Sequence, residues 1–379
     1  MGISATVTCG ARDHARLLAQ ALAAENVSCS MHWLERAGGS LSASRTEIRD
    51  WARELAGELD LIKPDTVLFH YSTFAYSHRG VPLFVRPVLN ALRGLRTPIV
   101  SVLHEFAYPW RPRDWRGNVW ALTQRAALID VMRASAAALV TTDSRAEWLA
   151  SRPWLPRRPL AVAPVFSNLP PPAPGQRQER GGHLLGLFGY SYEGAASALV
   201  LDALALMVDQ GQDVQLRLLG APGQSSPAGE TWRAQASARG VLPALSFSGI
   251  LPAQELSEEL AACEALLSVD TPGPSSRKGT LAASLASGRA VVALDGPQCW
   301  PELKRSDAAR IVEPTTRALA GALTELLAEE EQREALGARG RALAEQMMSP
   351  RHSAEVVARL LGQVRGADAP AAQARVARR

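Results

Sequence analysis

Cysteine is scarce in this 379-residue chain, and Cys9, Cys29, Cys263 and Cys299 are far apart. No paired spacing is visible, which argues against a zinc-ribbon or disulfide framework and fits reduced thiols in a cytoplasm. Long apolar runs are also missing. A stretch such as Ala136 to Val140 falls far short of the roughly 20 residues that a membrane-spanning helix needs. The start, Met1 to Val7, has neither the basic residues nor the long apolar stretch of a secretory leader. Gly2 with Thr6 fits the short myristoylation pattern, but the same residues read better as a buried first strand. His14, His32, His78, His183 and His352 show no ligand set, so no metal is expected. Aromatics are few, at 6%.

What is present is an alternation of short β-branched runs with helical ones. Ile3–Cys9, Val27–Trp33, Thr66–His70, Ile99–Leu103, Ala138–Thr142 and Leu160–Val165 read as strands, with helices between them. Asn168 to Gly182, NLPPPAPGQRQERGG, has no apolar period and reads as a linker. The alternation then restarts: Leu184–Gly189, Val214–Leu219, Leu245–Ser248, Ala265–Val269 and Ala290–Leu294 are the strands. The organisation expected is one doubly wound, Rossmann-like domain over 1–167, the linker 168–182 and a second such domain over 183–348. A helix over 349–365 is expected to cross back to the first domain, ahead of a disordered tail, 366–379.

The net charge of +4 hides a local excess. Between Arg79 and Arg158 thirteen arginines stand against five acids, which suits an anionic partner. No nucleic-acid recognition motif accompanies them, so none is expected as a partner.

In doubly wound sheets ligands sit beyond the carboxyl ends of the strands, so those turns hold the candidate residues. Gly10 ends the first strand and opens a helix, where the backbone can approach a phosphate. His104 closes the fourth strand and His70 the third, both placed for polar contact with substrate. The segment Phe106 to Trp120 reads as a loop that interleaves aromatics with arginine, and Tyr108, Trp110 and Arg111 read as contacts to an anionic or sugar-bearing substrate or as a peripheral membrane surface. Gly189, Tyr190 and Ser191 form a glycine-bearing turn without a dinucleotide fingerprint. Ser275, Ser276, Arg277, Lys278, Gly279 and Thr280 precede a helix, LAASLASG, and combine its dipole, free N–H groups and two cations into an anion site.

With these marks in their order, and with FSGILP at 247–252 and LASGRAVVALDG at 285–296, the chain resembles the family 4 glycosyltransferases over roughly 1–360. The resemblance implies the α/β GT-B fold: two Rossmann-like doubly wound domains facing across a cleft. It implies transfer of a sugar from a nucleotide-sugar donor, retaining and metal-independent, with no cofactor beyond that co-substrate. Gly249, Ile250 and Leu251 would line the base. Gly279 and Thr280 would bind the diphosphate, Gly10 would lie near the donor, and His104 would touch the transferred sugar. The acceptor would be a sugar, lipid or small molecule, at a cytoplasmic or membrane-peripheral location. The family's Glu pair falls on Ser275 and Ala283, and its Arg and Lys after the second domain's first strand are replaced by GYSYEG. A non-catalytic GT-B protein that binds a nucleotide sugar or partners an active enzyme is the alternative reading.

Overall fold

The computed structural model describes residues 1–4, 9–173, 182–190 and 195–376, and they divide into two units. The first comprises Met1–Pro164 with Pro350–Arg379, the second Val165–Ser349.

The first unit contains β1 (Gly2–Ser4), α1 (Gly10–Leu22), β2 (Trp33–Glu35), α2 (Leu41–Ile62), β3 (Val67–Ser72) and α3 (Val85–Leu92). These are followed by β4 (Ile99–Glu105), α4 (Trp115–Ala134), β5 (Ala137–Val140), α5 (Asp143–Ala150) and β6 (Leu160–Val162). Helix α2 shows why such segments fold. Ile48, Ala52, Leu55 and Leu59 recur at helical spacing and are buried, and the Ser40 hydroxyl caps the start by accepting from the Ala43 N–H at 3.2 Å. Strands β3, β4, β5 and β6 are parallel neighbours in that order, and β1 pairs β2. Met1 links the two sheets, since its carbonyl accepts from the His70 N–H at 2.9 Å and its amine donates to the Leu68 carbonyl at 2.7 Å.

The second unit contains β7 (His183–Phe188), α6 (Ala195–Asp209), β8 (Val214–Leu219), α7 (Pro227–Ala238), β9 (Leu245–Gly249), α8 (Ala253–Ala262), β10 (Ala265–Ser268) and α9 (Gly279–Ala286). Next come β11 (Ala290–Leu294), α10 (Pro301–Arg305), β12 (Arg310–Val312), α11 (Thr316–Ala328) and α12 (Glu330–Met347). The strand order β12-β11-β10-β7-β8-β9 is all parallel, and it reverses direction between β7 and β10. Apolar layers cover both faces. Leu201, Leu204, Trp232 and Leu323 belong to one, and Leu260, Leu281, Leu285 and Leu303 to the other.

The chain then returns to the first unit as α13 (Pro350–Val376), which packs on α1. This helix runs through most of 366–379, the segment expected to be a disordered tail. Two other expectations need correction. Only Trp33–Glu35 of the second strand is extended in a ladder, because Ser28, Cys29 and Ser30 interrupt the apolar pattern and are left on the surface. The aromatic–arginine segment is a loop only to Asp114. There the carboxylate accepts from the Gly117 N–H at 2.8 Å and starts α4.

Candidate functional site

Each unit gathers chemistry at the carboxyl ends of its strands. In the second, the reversal between β7 and β10 leaves a gap in which the turns after the two strands approach each other. Gly189 follows β7 with φ +74°, and a Cβ built on it would lie 2.7 Å from Thr280 Cγ2. The backbone of the first turn thus rests on the first turn of α9, and a larger residue at 189 would be strained in conformation and in space. Gly279 opens α9, and a Cβ there would meet only Val165 Cγ1, at 3.8 Å.

Around this junction the candidate residues separate into two groups. Gly189, Gly279 and Thr280 meet at the junction itself. Ser275 and Ser276 are buried beneath it, and the Ser276 carbonyl accepts from the Val165 N–H at 2.8 Å. Lys278 stands at the N-cap of α9, but its ammonium lies 2.9 Å from Oδ1 of the buried Asp270. Arg277 is half-buried just ahead of it. Tyr190 departs from expectation as a donor contact. Its ring is buried in the core, its hydroxyl accepts from the Gly223 N–H at 2.7 Å, and its carbonyl accepts from Trp232 Nε1 at 3.0 Å. A phenol whose hydroxyl is satisfied inside the core has no free face to offer a ligand. Ser191 lies outside the described residues. Gly249, with φ +72°, ends β9, and the exposed Ile250 and half-buried Leu251 follow it.

The first unit brings together three imidazoles. His14 comes from α1, His70 from β3 and His104 from β4. His70 Nδ1 lies 3.0 Å from His104 Nε2. One ring nitrogen from each of the three lies within 4.8 Å of the others. A register slip sets this up: Tyr71 pairs with Leu103 but Ser72 pairs with Glu105, so His104 is the extra residue of a bulge. The Arg145 guanidinium donates to the His104 carbonyl, holding the strand end. Burial pushes all three rings below the ordinary histidine range, His14 to about 3, aided by the nearby His104, and His104 to about 4, aided by Arg145. His70 is lowered by burial and then by its histidine neighbours. The three are therefore neutral near pH 7.

His70 is only 5% exposed, and its ring backs onto His104. The structure thus places His70, expected to contact substrate, on the strand interior against His104. A cavity of about 410 Å³ opens against His70, lined also by Trp33, Cys29 and Lys63. Gly10 is the exposed first residue of α1. Tyr108 stacks edge-to-face on Trp120, with ring centroids 5.4 Å apart. Arg111 lies over the Tyr108 ring and Arg125 over Trp110. Sequence reasoning missed His14, Arg145 and Asp270. The only signal for His14 was its place near the start of the helix that follows the first strand.

No family model matches the chain, and no curated protein matches its sequence. Solved structures match it over nearly its whole length. A sucrose-phosphate synthase from Thermosynechococcus elongatus is 16% identical, with 97% of this chain and 98% of that one covered and a TM-score of 0.70. Anabaena HepE, solved in complex with UDP and glucose, is 15% identical over 96% and 98%, with a TM-score of 0.67. WaaG, a glycosyltransferase involved in lipopolysaccharide biosynthesis, is 15% identical over 95% and 99%, with a TM-score of 0.63. The chain has the fold of these proteins, the GT-B fold.

Proposed function

We propose that this chain is a glycosyltransferase that moves a sugar from a nucleotide-sugar donor to an acceptor, retaining anomeric configuration and needing no metal at the diphosphate. The observation that carries the reading is the junction of Gly189 with Gly279 and Thr280 at the strand reversal of the second unit. There the start of α9 supplies N–H groups and the positive end of its dipole, the features that bind a diphosphate. HepE, which shares the fold, has been solved with UDP-glucose. In this reading Gly249, Ile250 and Leu251 line the base, Arg277 offsets the leaving charge, Gly10 lies near the donor, and His104 touches the transferred sugar. Tyr108, Trp110 and Arg111 contact the acceptor, a sugar, lipid or small molecule, in a cytoplasmic or membrane-peripheral setting.

Calorimetry with UDP, dTDP, GDP and ADP tests the donor, followed by turnover of the matching nucleotide sugars. His104→Ala is expected to lower turnover by about tenfold or more, roughly 1.4 kcal/mol, while leaving nucleotide affinity near its starting value. Normal turnover in that variant would remove His104 from the chemistry. A non-catalytic nucleotide-sugar-binding or scaffold role is the second reading. It is favoured by Ala283, which is buried in the apolar layer under α9 and offers nothing to a ribose hydroxyl. Nucleotide binding without any turnover or hydrolysis would select it.

A further inference from the structure

We propose that His14, His70 and His104 form a binding site for a divalent transition-metal ion, zinc foremost, within the first unit. The three side chains come from α1, β3 and β4, and their nearest ring nitrogens already converge to within 4.8 Å, with the closest pair at 3.0 Å. Zinc bound at 2.0–2.1 Å by three imidazoles holds their nitrogens about 3.3 Å apart, so closure asks for shifts of about an ångström. The donor chemistry selects the metal. Nitrogen-only ligands suit zinc, copper, nickel or cobalt, whereas magnesium and calcium require oxygen. The 3.0 Å contact of His70 with His104 is a hydrogen bond in the metal-free protein, so binding an ion there exchanges that N–H for a second ring nitrogen lone pair. The cavity against His70 offers an entry path.

Three protein ligands leave a fourth position open. Arg145, held to the His104 carbonyl, is the nearby cation. Its charge opposes the metal but favours an anionic fourth ligand, such as hydroxide or a carboxylate, over a neutral one. The site is distinct from the diphosphate junction, whose residues all belong to the second unit. It also stands without the sugar-transfer reading, because ion binding is measured with no nucleotide sugar present.

The full chain, stripped with a chelator and titrated with Zn²⁺ against a chromogenic competitor, should bind one ion at this site, and Mg²⁺ should not displace it. His14→Ala and His70→Ala should each weaken Zn²⁺ binding about a hundredfold or more, beyond the cost of losing an outer-shell partner. His183→Ala, in the second unit, should leave it intact. Unchanged affinity in both buried-site variants, or loss in His183→Ala alone, would overturn the proposal. Should the variants fail circular dichroism, Co²⁺ loaded into the unaltered chain decides. Strong visible bands of a four-coordinate site with three nitrogen ligands by X-ray absorption support it. A six-coordinate, oxygen-ligated spectrum overturns it.

Discussion

Gly189 is the residue on which the second unit's site turns. Its positive φ and its 2.7 Å approach to Thr280 are two separate constraints, and substitutions can separate them. Gly189→Ala should destabilise by about 1–2 kcal/mol from conformation alone, with the clash added. In the double variant Gly189→Ala/Thr280→Ser the methyl is gone and only the conformational part should remain. Urea unfolding of the three proteins reads the difference, and equal losses in single and double variants would discount the contact. Lys278 calls for a different expectation from its neighbour. Sequence placed both cations at the anion site with at least one expected to face the phosphates, and Lys278 is paired with buried Asp270. Lys278→Met should therefore cost stability, about 1–3 kcal/mol, by leaving a buried carboxylate without that partner. Arg277→Ala should instead weaken nucleoside diphosphate binding more than binding of the bare nucleoside, which calorimetry reads. The sequence shows both cations but not which acid lies behind them, because Asp270 belongs to a strand end and faces inward only once β10 is packed.

Strand–helix alternation made most elements legible, and β7 to β11 lie within a residue or two of their expected bounds, whereas the three-residue edge strand β12 was not expected. Helix α4 was less visible. Its residues do not form one apolar face: Gly117, Ala121, Gln124 and Leu128 are buried, while Trp115, Val119 and Leu122 are exposed. A stripe at i, i+4 and i+7 lies on one side of a helix. Here Trp115, at 70% exposure, and Leu122, at 62%, share it with Val119, in the arginine-rich stretch with Trp110 nearby. Such a face suits insertion at an anionic lipid surface, and among the described residues no helix is long and apolar enough to cross a membrane. Flotation with anionic vesicles at low salt should carry the chain, and Trp115→Ser/Leu122→Ser should reduce the floated fraction severalfold. Equal flotation of both proteins would leave the stripe without this role. The histidine cluster was illegible for a related reason. His14, His70 and His104 are 56 and 34 residues apart in sequence, and only the parallel pairing of β3 with β4 and the packing of α1 bring them together.

At the scale of the molecule, the two units were foreshadowed by the restart of the pattern after the Pro-rich stretch. The described sheets give the reason: each unit buries its own apolar layers. The isolated 165–349 segment is therefore expected to fold and to bind nucleotide, since its whole sheet and the Gly189–Thr280 junction are internal to it. A chain ended at Ser349 should keep that behaviour. Its first unit should melt earlier, because α13 packs on α1 and against β5 and β6. Two calorimetric transitions in the full chain, with only one lowered by the truncation, check this; a uniform shift of both would refute it.

The return of α13 also has a consequence for biosynthesis. A ribosome releases residues in order, so the covering helix of the first unit emerges only after every strand of the second. The second unit can mature on the nascent chain as a continuous stretch, whereas the first must wait with the surface meant for α13 uncovered. For the length of about 185 residues of elongation, at roughly 5–20 residues per second, that surface is open to chaperones. Codon changes that slow translation after residue 165 should lengthen this exposure and leave the second unit's yield unaffected.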